Sequence, residues 1–198
     1  WASLTTGLWE TVGVLVQHIL ERLRDGLLAP FYAAYQSRLE ANLPTWSVPR
    51  HIGIIMDGNR RFARLHRLGT VLDGHSRGAA KLEEVLGWCE EAGVEVITVW
   101  IFSMDNFDRD QGEVDGLMSL FERKIAELVA HPRVHQNEIR VRFLGQTGAL
   151  PEPVRQAIAD AEQATASYSR RVLNVGVAYG GREEIVDAFR DYLKAQHA

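Results

Sequence analysis

The stretch Asp57–Arg67, DGNRRFARLHR, sets one carboxylate, one glycine, one carboxamide and four arginines within eleven residues. A helix starting just after Asn59 would aim its free N–H groups and its dipole at an anion. Arg60, Arg61, Arg64 and Arg67, three and four apart, would line one side of that helix and fork onto phosphate oxygens. A single carboxylate beside them suits Mg²⁺, which keeps waters and takes one or two carboxylates plus substrate phosphates. Together these groups spell a magnesium–diphosphate site, with an exposed basic helix as the alternative. Phe102-Ser103-Met104-Asp105-Asn106-Phe107 gathers a hydroxyl, a carboxyl and a carboxamide between aromatic rings. His75 follows Gly74. A lone histidine is commonly structural, but beside an arginine cluster it can donate to phosphate or carry a proton. Gly180-Gly181-Arg182 either closes on a phosphate or makes a tight strand-to-helix turn. Neither GxxxxGK[ST] nor a GxGxxG after a strand occurs, so the common nucleotide loops are excluded.

These groups matter only if one scaffold brings them together. His51–Met56 (HIGIIM), Val94–Phe102 (VEVITVWIF), Ile139–Leu144 and Val172–Tyr179 are short apolar runs that read as buried strands. Helical spacing marks residues 77–92, about 113–129, 151–166 and 183–194. Strand and helix alternate four times, which predicts an α/β fold, a largely parallel sheet flanked by helices. Ligands of such sheets sit beyond the carboxyl ends of the strands. DGNRR (57–61), SMDN (103–106) and GGR (180–182) all fall there.

Upstream, Leu8, Val12, Leu15, Ile19, Leu23 and Leu27 make one apolar stripe of an amphipathic helix. Pro30 is expected to interrupt it, and Phe31, Tyr35 and Leu39 predict a second helix ending near Asn42. The stripe suits packing on a core or partner, or lying on a membrane surface; the few basic residues favour the former. Residues 1–46 thus read as an N-terminal helical extension and 47–198 as the α/β domain. Across 198 residues, 46% are apolar and 24% charged. That mix can bury a core and excludes a disordered, collagen-like or disulfide-miniprotein class. Twenty-two Lys and Arg against twenty-six Asp and Glu, net charge −4, lack the basic excess of a nucleic-acid binder. The single Cys89 forms no internal disulfide or CxxC metal site and suits a reducing compartment. No run approaches the roughly 18 to 20 apolar residues of a membrane span, and no signal peptide is evident. The expectation is a soluble, cytoplasmic protein.

HIGIIMDGNRRFAR (51–64), GHSRGAAK (74–81), FSMDNFDR (102–109) and LNVGVAYGGREEIVDA (173–188) closely resemble, in order and spacing, the cis-prenyltransferases, the undecaprenyl diphosphate synthase family. RFLGQTGALPE (142–152) sits where that family has a similar segment. LLAPFYAAYQSRLEANLPTWSVPRH (27–51) is similar to the leader of actinobacterial members, including short-chain Z,E-farnesyl diphosphate synthases.

The resemblance implies a Mg²⁺-dependent prenyltransferase. It would condense isopentenyl diphosphate with an allylic diphosphate of the geranyl or farnesyl class, giving a Z-polyprenyl diphosphate of short or medium chain. Asp57 would hold Mg²⁺ and assist departure of the allylic diphosphate, which Gly58, Asn59, Arg60 and Arg61 would cradle. Phe62, where the family usually has Trp, would keep an aromatic wall, and His75 would bind substrate. Ser103, Met104, Asp105 and Asn106 match an FSxEN block with Asp for Glu; Asn106 would help remove the proton from isopentenyl diphosphate. Phe107 again replaces Trp, and Arg109 would contact substrate. Ile101, just before the Phe-Ser pair, would line the product tunnel and shorten the product. Val71 stands where the family has an arginine. The family's C-terminal RxSGExRxS block is absent, so the domain is expected to lack its C-terminal segment and, with it, half of a second substrate site. A homodimer and peripheral membrane contact are further expectations. Two other readings stay open: a non-catalytic, prenyl-diphosphate-binding partner subunit, and a same-fold enzyme with non-elongating prenyl chemistry. Asp57, Asn59 and Asn106 weigh against the first; the DGNRR and FSMDN blocks weigh against the second.

Overall fold

Runs rich in Val and Ile form four strands: β1 His51–Ile55, β2 Val96–Trp100, β3 Ile139–Leu144 and β4 Arg171–Gly176. β-branched side chains fit a pleated surface that is covered on a face. The strands pair only in parallel, in the order β1-β2-β4-β3. Their registers align Ile55 with Trp100, Trp100 with Gly176, and Gly176 with Leu144. All four carboxyl tips therefore lie in one row, and the polar segments predicted at those tips leave the sheet from one edge.

The computed structural model describes residue 26, residues 28–42 and residues 46–196. The chain divides into two units, 1–47 and 48–198. In the first, helix α1 runs over 28–42. Pro30 lies inside α1 instead of interrupting it. A proline withdraws one backbone donor, and good helix formers from Ala33 to Glu40 carry the helix past that loss. The apolar stripe expected over 8–27 lies outside the described residues, apart from its surroundings at residue 26.

In the second unit the helices are α2 Asn59–Leu65, α3 Val71–Glu91, α4 Gln111–Ala130, α5 Pro132–Gln136, α6 Glu152–Ala164 and α7 Gly181–Gln196. Helix α3 begins six residues earlier than the apolar spacing predicts. Thr70 and Asp73 form a capping box, Asp73 N donating to Thr70 Oγ1 at 3.2 Å and Thr70 N to Asp73 Oδ2 at 2.7 Å. That reciprocal cap satisfies helix-end donors and starts the helix upstream of its apolar stretch. Helix α2 lasts only seven residues. Arg67 falls beyond it with φ 49°, so it does not extend the arginine row of Arg60, Arg61 and Arg64 as expected.

The core has two parts. Helices α4 and α6 bring Val114, Leu117, Met118, Val154 and Ile158 against Phe102 and Val177 just past the strand tips. On the sheet itself Val99, Leu173 and Val175 pack with Leu82 and Leu86 of α3. Edge strand β3 is sealed by α6 and its following turn. Phe143 N donates to Glu162 Oε1 at 2.8 Å, and Val141 N to Thr165 Oγ1 at 3.1 Å. Unpaired edge donors thereby find partners without a further strand.

Candidate active site

Gly58, two residues past Ile55, caps α2 with φ 89°, a left-handed conformation that costs a residue with a Cβ about 1–2 kcal/mol. Its N–H donates to Asp57 Oδ1 at 2.6 Å. Asp57 is exposed at the tip of β1, with its other carboxylate oxygen available to an incoming group. Among the described residues no group of three or more His, Cys, Asp or Glu is placed to hold a metal ion. A lone, exposed carboxylate does fit an Mg²⁺ ion that takes its remaining ligands from water and a diphosphate. Asp57 is the residue that would hold it.

Helix α2 is seated on α3 by two glycines. A Cβ on Gly74 would lie 2.3 Å from Asn59 O and 2.9 Å from Ala63 Cβ; one on Gly78 would lie 2.3 Å from Asn59 Oδ1. The GHSRG segment (74–78) is thus a groove into which Asn59 and Ala63 drop. His75, between these glycines, is carried to the same place. Asn59 Nδ2 approaches His75 Nδ1 at 3.5 Å.

The polar segments meet at a residue that the sequence did not single out. Glu113, in the first turn of α4, is only 8% exposed. Its Oε1 lies 3.2 Å from His75 Nε2 and accepts from Arg109 Nη1 at 2.9 Å. Its Oε2 lies 3.4 Å from Arg60 Nε. One carboxylate thus links α2, α3 and the segment after β2. The only sequence signal was Arg109 and Glu113 four apart at a helix start, a spacing that pairs side chains on any helix. Burial pushes the His75 imidazole below the ordinary histidine range. The Glu113 carboxylate pulls the other way, while Arg109 and Arg60 add to the lowering.

The Ser103–Asn106 turn is built from itself. Ser103 N donates to Asn106 Oδ1 at 3.1 Å, and Asn106 N donates to Ser103 O at 3.1 Å. Met104 packs on the core, as does Phe107, whose ring meets Phe102 edge-on with centroids 4.9 Å apart. Asp105, Arg61 and Phe62 are exposed, the Phe62 ring lying 4.1 Å from that of His66. Gly181 and Arg182 open α7. Among the described residues no hydrogen bond or ion pair joins Arg182 to the Glu113 cluster.

Between α3, α4 and the sheet lies a largely apolar, half-open cavity of about 670 Å³. Its walls include Leu82 and Leu86 of α3, Ile97, Val99 and Ile101 of β2 and its continuation, and Phe121, Ile125 and Leu128 of α4. Of its charged lining groups, Glu90, Arg133 and Arg171 stand at the end remote from the strand tips, and Glu83 and Lys124 pair at 2.8 Å between α3 and α4. Helices α3 and α4 and strand β2 each lead from the polar cluster along the cavity wall. Thus a cluster rich in cationic side chains and an apolar cavity share three elements.

The prenyltransferase family model described as undecaprenyl diphosphate synthase matches residues 55–198, more than half of the chain and every site residue named above. The chain belongs to the undecaprenyl diphosphate synthase family. It is 45% identical, over 180 residues, to a tritrans,polycis-undecaprenyl-diphosphate synthase (geranylgeranyl-diphosphate specific) of Pyrococcus horikoshii, covering 91% of this chain and 68% of the relative. It is 43% identical over 182 residues to an isoprenyl transferase of Deinococcus radiodurans, covering 92% and 65%. Among solved structures it is similar to lavandulyl diphosphate synthase from Lavandula x intermedia in complex with dimethylallyl diphosphate. That likeness has a TM-score of 0.68 and 34% identity, and covers 75% of this chain and 63% of that one. The chain spans about two thirds of the length of these undecaprenyl diphosphate synthase relatives. The parallel sheet flanked by helices is the fold they share. Among the described residues no helix is long and apolar enough to cross a membrane.

Proposed function

We propose that this chain carries out cis-prenyl transfer, joining isopentenyl diphosphate to an allylic prenyl diphosphate. The observation that carries the reading is the run of α3, α4 and β2 from a cationic cluster to an apolar cavity. Such a site takes a molecule with a diphosphate at one end and a hydrocarbon chain at the other. Geranyl and farnesyl diphosphates are the allylic substrates expected from the sequence; the Pyrococcus relative, named as geranylgeranyl-diphosphate specific, adds geranylgeranyl diphosphate.

In this reading Gly58, Asn59, Arg60 and Arg61 receive the allylic diphosphate, with Phe62 at its margin. Ser103, Asp105 and Arg109 face isopentenyl diphosphate, and His75 ties the two groups together. Met104 and Phe107 support that turn from the core side. The allylic C–O bond breaks with its electron pair leaving on diphosphate, and the double bond of isopentenyl diphosphate attacks the allylic carbon. Loss of a proton then leaves the new cis double bond. Arg60 and Arg61 stabilise the negative charge growing on the departing allylic diphosphate, the kind of electrostatic contribution that commonly dominates. Mg²⁺, held by Asp57, would supply Lewis-acid stabilisation of that same charge. An amide is not basic and the Asn106 oxygen is already an acceptor, so Asn106 orients substrate through its N–H while a diphosphate oxygen takes the proton. The cavity excludes water from the cationic carbon, and Ile101 on its wall limits product length. Homodimer formation and peripheral membrane contact by the product's lipid chain belong to the same proposal.

The test is incubation with Mg²⁺, radiolabelled isopentenyl diphosphate and, in turn, geranyl, farnesyl and geranylgeranyl diphosphate, followed by product sizing. Incorporation that disappears in Asp57→Ala is the expected result. Turnover retained in that variant would sink the proposed role, and binding of prenyl diphosphates without any incorporation would favour the non-catalytic partner.

A further inference from the structure

Glu113 takes no direct part in the chemistry just described, yet it is the most heavily used side chain in the site. Resting on the prenyl-transfer reading, we propose that Glu113 is a positioning residue that presets Arg60, His75 and Arg109 as one anion-binding surface. Two guanidinium groups brought together beside a neutral imidazole, without an anion, would repel one another. A buried carboxylate between them removes that repulsion and still leaves the cluster cationic. The contacts are divided economically. Arg60 engages Glu113 through Nε at 3.4 Å, and Arg109 through one Nη at 2.9 Å. Guanidinium carries five N–H donors, so most of each fork stays available for phosphate oxygens. Glu113 is itself held at its backbone, its N–H donating to Asp110 Oδ1 at 3.3 Å in the N-cap of α4. The carboxylate thus projects from a fixed point.

The arrangement also assigns a tautomer. A carboxylate oxygen 3.2 Å from Nε2 accepts a hydrogen there, which leaves Nδ1 of neutral His75 as the acceptor for Asn59 Nδ2. His75 is then a rigid link from Glu113 to Asn59, with its Nε2–H already committed, and not a free donor to substrate. Three elements are locked by one residue: α2 through Arg60 and Asn59, α3 through His75, and the segment after β2 through Arg109.

The experiment uses the full chain and inorganic diphosphate without metal, binding being followed by calorimetry. Glu113→Gln keeps the shape and removes the charge, so it should weaken diphosphate binding by about tenfold or more, as loss of charge-assisted contacts does. Arg109→Ala should do likewise. If Glu113 works through Arg109, the double variant should be little worse than the worse single variant, because the effects are not independent. Multiplicative effects, or wild-type affinity in Glu113→Gln, would overturn the proposal. Should Glu113→Gln fail to fold by circular dichroism, Glu113→Asp, which keeps the charge but retracts it, runs the same cycle. Nitrogen-15 NMR of the wild-type His75 ring gives a second readout that needs no variant: Nε2–H is expected, and Nδ1–H would overturn the assignment. A wild-type chain with an intact cycle and no prenyl product would overturn only the prenyl-transfer reading.

Discussion

His75 is under two opposed influences, the burial that strips its water and the carboxylate of Glu113, and burial prevails. A histidine whose folded-state pKa lies below its ordinary value of 6.5 takes up its proton more readily when unfolded. Stability from this group is therefore fully present above that value and is lost as pH falls through it. Glu113, Arg109 and Arg60 are the charged groups facing the ring, and Asn59 is its neutral neighbour. Urea unfolding between about pH 7 and pH 5 should show wild type losing stability more steeply than His75→Gln. Parallel curves would show that the ring is not held neutral. At this scale much of the site was legible. Asp57, Asn59, Arg60 and His75 stood out because their types and clustering suit phosphate, and Arg109 through the family resemblance. Glu113 did not, since a glutamate in the first turn of a helix is also what the helix dipole alone selects. Its meaning lies in partners 38 and 53 positions earlier in the chain, His75 and Arg60, a juxtaposition that no spacing encodes. Arg67 misled in the opposite way: its position in an arginine series says nothing of where the helix stops.

Among the elements, the α2–α3 contact is the tightest part of the site. Gly74→Ala and Gly78→Ala each push a methyl group into Asn59, with Ala63 also in the way at Gly74. Forcing extra volume into such packing costs about 1–3 kcal/mol. Urea midpoints should fall accordingly, and diphosphate affinity should fall with them because Asn59 and Arg60 move together. Loss of stability with unchanged affinity would mean that α2 is not the structural base of the anion site. The strands were legible because Val and Ile runs bounded by polar residues leave few alternatives. Helix α3 was placed six residues late because its first two turns, VLDGHSR, hold two polar-flanked contact residues and a glycine, not an apolar stripe. Helix α5, of five residues, is too short for any periodicity to register.

Across the molecule, the polar row at the strand tips and the apolar cavity form one continuous design. Ile101, one residue past β2, stands at the junction, packing against each part of the core and lining the cavity. Ile101→Ala should lengthen the product and cost about 1 kcal/mol or more of stability, as truncation of a partly buried aliphatic side chain does. Product sizing and urea unfolding check the two halves of that expectation. Unchanged products would remove Ile101 from any role in chain length. The α/β order was readable over most of 48–196, whereas the residues themselves did not show the cavity, which entered only as the product tunnel that the resemblance implies, since a void is a property of packing and leaves no mark in the order of residues. Helix α3 adds a mechanical consequence. At 1.5 Å per residue its 21 residues make a rod of about 30 Å, gripped by Asn59 at one end and facing the cavity with Leu82, Leu86 and Glu90 along the rest. Glycines that leave no slack at the grip make this rod a lever. Any displacement that cavity contents impose on its far arm must either bend the helix or be delivered, without a cushion, to the residues proposed to receive the diphosphate.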